Sequence, residues 1–397
     1  MSQDPRKVAA QVIEHILKHK SFSKIVLSNA LDKSSLSDRD KALCTELVYG
    51  TLRWLPSLEL SVNRAMNRPN PKLQLDLKCH LLIAAYQIQH LEDSIPAYAA
   101  VSTAVKHIKK KRPGMAGFAN AILRNLGSSP HLALRPSDSL DKISKALGLP
   151  IFVLEALPQE ELLEAALAMN ARPKTWYRGG GEGEHIVPSA TLSKTPYVQD
   201  PASQLAGLLV APKVGEYVID ACAAPGSKSR ILKEAVGELG RVIAVDQDAK
   251  RLAKVPDDIE KIHGDVCKLK LEPADAVLLD APCSGYGTLR RHPEIKFWRS
   301  YEDVQRLAKL QAELLEAAAK VIKPGGVLVY SVCSPLPEEG SEQIANFLDK
   351  HPKFTREDPK QTLPWLPEHV VNDLGEIMLW PHRDQSDAFF AVKLRRR

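Results

Sequence analysis

The chain has 397 residues, 44% hydrophobic and 26% charged, enough for two or three domains with substantial cores. No apolar run approaches the ~20 residues that span a bilayer, the amino-terminal Met-Ser-Gln-Asp-Pro-Arg-Lys lacks the apolar core of a signal peptide, and the six cysteines form no Cys-x-x-Cys pair; a cytoplasmic protein with free thiols is expected, rather than a membrane, disulfide-built or zinc-ribbon one. The formal charge of +6 is uneven: residues 1–140 carry 20 Lys and Arg against 11 Asp and Glu, which points to a polyanionic partner or to a merely solvated basic surface.

Arg6 to Leu17 is an amphipathic helix pattern, with Val8, Val12, Ile13, Ile16 and Leu17 on one face. Ser35-Leu-Ser-Asp38 is an N-cap region for a helix from Arg39 to Trp54, and Leu73 to Gln89, Pro96 to Lys110 and Gly117 to Leu126 predict further helices. No strand pattern intervenes, so residues 1–127 read as an all-helical bundle, with Cys44 and Cys79 as packing residues. Residues 127–150 are rich in Ser, Pro and Gly and read as a linker with room for one short helix. Gln159 to Met169 predicts one more helix, followed by Arg172-Pro-Lys-Thr-Trp-Tyr-Arg178 and a Gly-rich stretch.

From residue 214 onward strands alternate with helices: strand 216–221, helix 228–236, strand 241–246, short helix 249–254, strands 259–264 and 275–280, helix 302–322, strand 326–332 and helix 339–350. That alternation implies a parallel sheet. Glu376 to Trp380 and Asp387 to Leu394 read as a last, antiparallel pair, and Arg395 to Arg397 as a solvated basic tail.

Three motifs carry chemistry. Val218-Ile-Asp-Ala-Cys-Ala-Ala-Pro-Gly-Ser-Lys228 is strand, small-residue loop and helix start, the unit whose loop binds ligands at the carboxyl edge of such sheets. Gly226 allows a tight turn, and twenty positions later Asp246 ends the next strand, placed to accept hydrogen bonds from a ribose. Asp280-Ala-Pro-Cys-Ser-Gly285 ends a third strand pattern and Tyr330-Ser-Val-Cys-Ser334 a fourth. Cys283 and Cys333 therefore stand at two strand ends, on the same edge as the cofactor loop.

Together these motifs resemble the RNA cytosine-C5 methyltransferases that use S-adenosylmethionine. Asp38-Arg-Asp-Lys-Ala-Leu43, Glu46-Leu-Val-Tyr-Gly-Thr-Leu-Arg53, Ala84-Ala-Tyr-Gln87, Ile95-Pro96, Ala99-Ala-Val101 and Gly117-Phe-Ala-Asn-Ala-Ile-Leu-Arg124 resemble a NusB-like RNA-binding domain. The pair resembles the RsmB (Sun/Fmu) type, which modifies 16S ribosomal RNA, over nearly the whole chain apart from residues 130–195. The resemblance implies a multidomain protein: a NusB-like all-α bundle at 1–127, a linker and small, shortened connecting subdomain at 128–196, and an α/β Rossmann-like methyltransferase domain at 197–397. It also implies S-adenosylmethionine as cofactor and 16S ribosomal RNA or an early small-subunit particle as partner. A monomer that needs neither metal nor membrane is expected.

By the same resemblance, Cys333 is the nucleophile, Cys283 assists product release, and Asp280 faces cofactor and base, with a loop-capping role as its alternative. Asp246 holds the ribose hydroxyls and Asp265 sits near the adenine. Cys222, Ala223, Ala224, Pro225 and Gly226 line the methionine and ribose, followed by Ser227, in place of the family's second glycine, and Lys228. Lys109, Lys110, Lys111 and Arg112, with Lys106, are candidates for RNA phosphate, or equally for compensating a helix dipole. Arg290, Arg291, His292 and Lys296, after the Pro-Cys loop, are phosphate candidates too. Beside Ser227, three further departures from the family pattern stand out: Val332 where a threonine is usual, Ala388 where a glycine is usual, and the short Gly-rich stretch after Arg178. The residues leave open an RNA-binding assembly or antitermination factor with an inactive methyltransferase domain, and a DNA methyltransferase in which Cys283 alone attacks.

Overall fold

The computed structural model describes residues 3–66, 72–127, 134–178, 180–181 and 197–397. Two compact units emerge, Met1–Arg172 with Leu289–Trp298, and Pro173–Thr288 with Arg299–Arg397.

The first unit is helical: α1 (Pro5–His19), α2 (Ser23–Asp32), α3 (Asp38–Arg53), α4 (Leu55–Ala65), α5 (Leu75–His90), α6 (Ala97–Lys111), α7 (Ala116–Gly127), α8 (Leu140–Leu147), α9 (Ile151–Glu155) and α10 (Leu162–Asn170). Asp4 caps α1 by accepting from the Arg6 N–H, and Ser37 caps α3 by accepting from the Asp40 N–H. The core joins Ile13, Ile16, Leu47, Leu52, Leu81, Leu82 and Leu123, all at most 2% exposed. Helices α2 and α4 were not legible as patterns. Half of α2 is exposed, with only Ser23 and Leu27 buried, and α4 opens on Leu-Pro directly after α3, where proline suits the first turn but reads as a break. Helices α8 to α10 fall within this unit, where the sequence suggested a linker and separate subdomain. Residues 182–196 of that expected subdomain lie outside the described residues.

The second unit is built on an eight-stranded sheet: β1 (Tyr217–Asp220), β2 (Arg241–Asp246), β3 (Glu260–His263), β4 (Ala274–Asp280), β5 (Ile322–Val332), β6 (Phe354–Arg356), β7 (Glu376–Leu379) and β8 (Phe389–Arg396). The order is β7-β8-β5-β4-β1-β2-β3, with β6 paired to β8. Strands β1 to β5 run parallel and β8 antiparallel to β5. Parallel strands covered on both faces are apolar on both sides. Val218, Leu278 and Val329 join one core, with α11 (Pro201–Val210) and α12 (Ser227–Val236); Ile219, Val277 and Tyr330 join the other, with α13 (Tyr301–Val321) and α14 (Ser341–Lys350). The order reverses at β1, so the ends of β1, β2, β4 and β5 border the crevice where such sheets bind ligands.

Candidate active site

The cofactor loop is held by backbone accounting. After β1 the chain turns sharply, and Gly226 has φ +97°; a Cβ there would lie 2.9 Å from the Val255 Cα. Ala223 N–H donates to the Val245 carbonyl (2.9 Å), and Ala224 N–H to Asp246 Oδ2 (3.0 Å). The other oxygen of Asp246 accepts from Asp248 N–H (2.8 Å), so this carboxylate pins the loops after β1 and β2 together. Ser227 is already helical, so the residue in place of glycine meets no positive-φ demand.

A cavity of about 260 Å³ opens at these strand ends. Cys222, Ala224, Asp246, Asp265, Asp280, Pro282, Cys283, Leu314 and Cys333 line it. Ala223, Pro225, Gly226, Ser227 and Lys228, expected at the cofactor, are not among the lining residues. Carboxylates on successive loops and apolar walls at Val266, Pro282 and Leu314 suit a ribonucleoside: acids for hydroxyl and amino groups, flat apolar surface for a purine. Sequence reasoning missed Arg251, which lines the same cavity and donates to the Ala224 carbonyl. Burial pushes the Cys222 thiol well above its usual range, helped by Asp220 and Asp246, so it stays protonated.

At the other end of the cavity the two expected cysteines meet, with Cys283 Sγ and Cys333 Sγ 3.3 Å apart. Asp280 accepts from Lys228 Nζ (2.6 Å) and from Ser331 Oγ (2.8 Å). Burial alone would lower the Lys228 pKa, but the charge of Asp280 more than offsets it and the ammonium is retained. The hydrogen bond to Cys333, then burial, raises Cys283 well above the ordinary thiol value, so Cys283 keeps its proton. Val332 is fully buried in the sheet core on the face opposite Cys333, where a valine packs better than a hydroxyl.

Two loops carry the thiols, and their backbones are stitched together. Ala281 N–H donates to the Ser331 carbonyl, Gly287 N–H to the Cys333 carbonyl, and Ala388 N–H to the Gly287 carbonyl. The sequence also gave no sign of Glu339, which is 0% exposed and accepts from Ser284 N–H (2.7 Å) and Ser284 Oγ (2.6 Å).

The expected phosphate contacts divide. Lys106, Lys109 and Lys110 are exposed on α6, while Lys111 and Arg112 pair with Asp76. Arg290 and Lys296 depart from expectation because residues 289–298 belong to the first unit and both side chains are buried there. Lys296 Nζ donates to the carbonyls of Arg53 (2.7 Å) and Leu147 (2.8 Å) and to Asn170 Oδ1 (2.9 Å). Arg53 Nε donates to the Arg290 carbonyl, and Glu294 accepts from Ser23 N–H and Oγ. His292 lies beside Glu294, and Arg291 is half-buried. An Arg-Arg-His-Pro-Glu-Ile-Lys run looks like a basic surface loop because its partners lie more than a hundred residues away in the chain.

Comparison with known proteins agrees with this arrangement. Residues 207–395 match the family model described as 16S rRNA methyltransferase RsmB/F, and residues 3–128 match the NusB family. The chain is 32% identical over 443 residues to the ribosomal RNA small subunit methyltransferase B of Erwinia tasmaniensis, covering 98% of each. It is 32% identical over 437 residues to the protein of the same name from Salmonella arizonae, again covering 98% of each. Among solved structures, PH0851 superposes with a TM-score of 0.74 at 23% identity, covering 99% of both chains, a likeness of fold. A methyltransferase homologue from Pyrococcus horikoshii has a TM-score of 0.53 at 25% identity, covering 66% of this chain and 100% of that one. With a NusB domain in front and a methyltransferase sheet whose strand ends carry both cysteine motifs, the chain belongs to the RsmB/F family of 16S rRNA methyltransferases.

Proposed function

We propose that this methyltransferase acts on carbon 5 of a cytosine in 16S ribosomal RNA, through a covalent bond between Cys333 and carbon 6 of the base. The observation that carries the reading is the pair of thiols 3.3 Å apart at the cavity end. Carbon 5 of cytosine is a poor nucleophile. A thiolate that adds to carbon 6 turns the ring into an enamine whose carbon 5 attacks an electrophile. S-adenosylmethionine supplies that electrophile as a methyl group on a sulfonium.

Each residue then has a task. With the cofactor bound, Asp246 would hold the ribose hydroxyls, Asp265 would sit near the adenine, and Cys222 and Ala224 would line the methionine and ribose; all four line the cavity. Cys333 forms the carbon–sulfur bond. Asp280, oriented by Lys228 and Ser331, faces the edge of the base. After transfer the proton on carbon 5 leaves to a base, the carbon–sulfur bond breaks, and the electron pair returns to Cys333 as thiolate. Cys283, held as a thiol beside Cys333, assists this last step through its S–H. The target cytosine must be unpaired or flipped out for its carbon 6 to reach Cys333. The exposed Lys109 and Lys110 of α6 add phosphate contacts.

The experiment is incubation with methyl-labelled S-adenosylmethionine and unmodified small-subunit ribosomal RNA, free or in immature particles, with bisulfite mapping. One protected cytosine is expected. Cys333→Ala should form no RNA adduct, and Cys283→Ala should trap one. The reverse pattern would assign the attack to Cys283, as in a DNA-type mechanism; cofactor binding with no transfer to either RNA form would refute the enzyme reading.

A further inference from the structure

Pro337-Glu-Glu-Gly340 forms a short turn ahead of α14, and its two acids part. Glu338 reaches outward to the Tyr301 hydroxyl, while Glu339 turns in and has no solvent exposure. A buried carboxyl group is costly unless its oxygens are filled by donors. Here Oε1 accepts from Ser284 N–H (2.7 Å) and Gln311 Nε2 (3.1 Å), and Oε2 accepts from Ser284 Oγ (2.6 Å).

All these donors lead back to the thiols. Ser284 follows Cys283. Gln311 Nε2 also donates to the carbonyl of Pro282, which precedes Cys283 (3.0 Å). Ser284 Oγ lies 3.3 Å from the hydroxyl of Ser334, which follows Cys333. The Tyr330 hydroxyl donates to the Glu339 carbonyl (2.6 Å), fixing the turn itself. Both neighbours of Cys283 are therefore clamped by one buried carboxyl group and one buried amide. The backbone on both sides of Cys283 is thereby held, as a reaction geometry requires.

We propose that Glu339 is a positioning residue that holds the Cys283 thiol against Cys333 for the release step. The proposal rests on the covalent reading above. Both oxygens of Glu339 are spent on the residue that follows Cys283 and on the amide that holds the residue before it.

The test compares wild type, Cys283→Ala, Glu339→Ala and Glu339→Gln on 16S ribosomal RNA with labelled S-adenosylmethionine. Cofactor affinity, RNA–protein adduct on denaturing gels, and steady-state kcat and KM are read for each. Glu339→Ala should keep cofactor affinity and KM for RNA, form the adduct, and accumulate it, with kcat falling about tenfold or more. Glu339→Gln should recover to within about threefold, because its amide oxygen still accepts from Ser284 N–H and its amide nitrogen can donate to Ser284 Oγ. Native kcat without adduct in a cofactor-binding Glu339→Ala would overturn the proposal, as would loss of adduct formation altogether. Should Glu339→Ala fail to fold, Ser284→Ala removes the 2.6 Å bond while keeping the backbone donor, and native release in that variant overturns it equally. Absence of an adduct in Cys283→Ala would instead overturn the covalent reading, and the Glu339 role with it.

Discussion

The stitching of the two cysteine loops predicts that Gly287→Ala is a severe substitution although glycine here needs no unusual backbone angle. A Cβ at Gly287 would stand 2.0 Å from the Ala388 carbonyl oxygen and 2.8 Å from that of Cys333. A carbon and an oxygen in contact keep about 3.3 Å between them, so the backbones must part by roughly 1.3 Å at Ala388. Both backbone hydrogen bonds of Gly287, to Cys333 and from Ala388, are then lost or stretched. Two buried bonds left unmade cost about 2–4 kcal/mol, a fall in melting temperature on the order of 5–10 °C for a unit of this size. A displacement of ~1 Å at reacting groups costs about a hundredfold in rate. The assay is single-turnover methyl transfer beside thermal melting and cofactor titration, with cofactor affinity expected to hold because Gly287 is not among the residues lining the cavity. A native single-turnover rate with an unchanged melting curve would refute the idea that backbone contact at Gly287 sets the distance between the thiols.

Further outcomes follow from the same geometry. Asp220 is buried, accepts from Ser229 Oγ, and burial pushes its carboxyl up to about 7. Its folded pKa lies above the unfolded value of about 3.9, so the stability it contributes is present below pH ~4 and lost as pH rises toward 7. Asp220→Asn should therefore flatten the pH dependence, gaining about 2 kcal/mol on wild type between pH 5.5 and 8 in urea melts, and parallel curves would contradict this. Lys296→Met takes this donor from the Arg53 carbonyl and Asn170 Oδ1 and leaves the Leu147 carbonyl only the bond from Asn170 Nδ2, and should destabilise the first unit by about 2–4 kcal/mol. Faster hydrogen exchange in α8 and α10 with β1 to β5 unaffected is the expected readout, and native exchange throughout would count against it. Dilute hydrogen peroxide should join Cys283 to Cys333, two thiols and one peroxide giving a disulfide and two waters, with an intact mass lower by about 2 Da and restored by dithiothreitol. A sulfinic acid on Cys333 with no linked peptide would show that the pair cannot close.

Much of the site was legible because its information is local. The loop from Ala221 to Gly226, Asp246 at the end of β2, and Cys283 and Cys333 at the ends of β4 and β5 each follow an apolar strand pattern directly, and the parallel order of the sheet brings those ends to one edge. The helical front was legible for the same reason, through the 3.6-residue period of α1, α3, α5 and α6. What was not legible is long-range. Lys296 looks like a surface lysine because the carbonyls it fills belong to residues 126 to 243 positions away. Glu339 looks like a turn acid because Ser284 is 55 positions away. Charge in a sequence predicts exposure on average, and it misleads where folding supplies enough donors and acceptors to bury the group.

That difference bears on how the departures from the family pattern should be weighed. Judged by the motif, Val332 beside the nucleophile and Ser227 in the cofactor loop would count against activity. Their surroundings say otherwise: Val332 faces the core on the far side of the sheet from Cys333, and Ser227 occupies the first turn of α12 at ordinary helical angles. Ala388 is buried, and it is its backbone carbonyl, which a glycine would present equally, that leaves no room for a side chain at Gly287. A methyl group at 388 adds nothing to that contact, because it is the backbone of Ala388 that touches Gly287. The demand for glycine therefore falls on position 287, in the loop that carries Cys283, and substitutions at 387 or 388 that keep the backbone path should leave the thiol pair where it is.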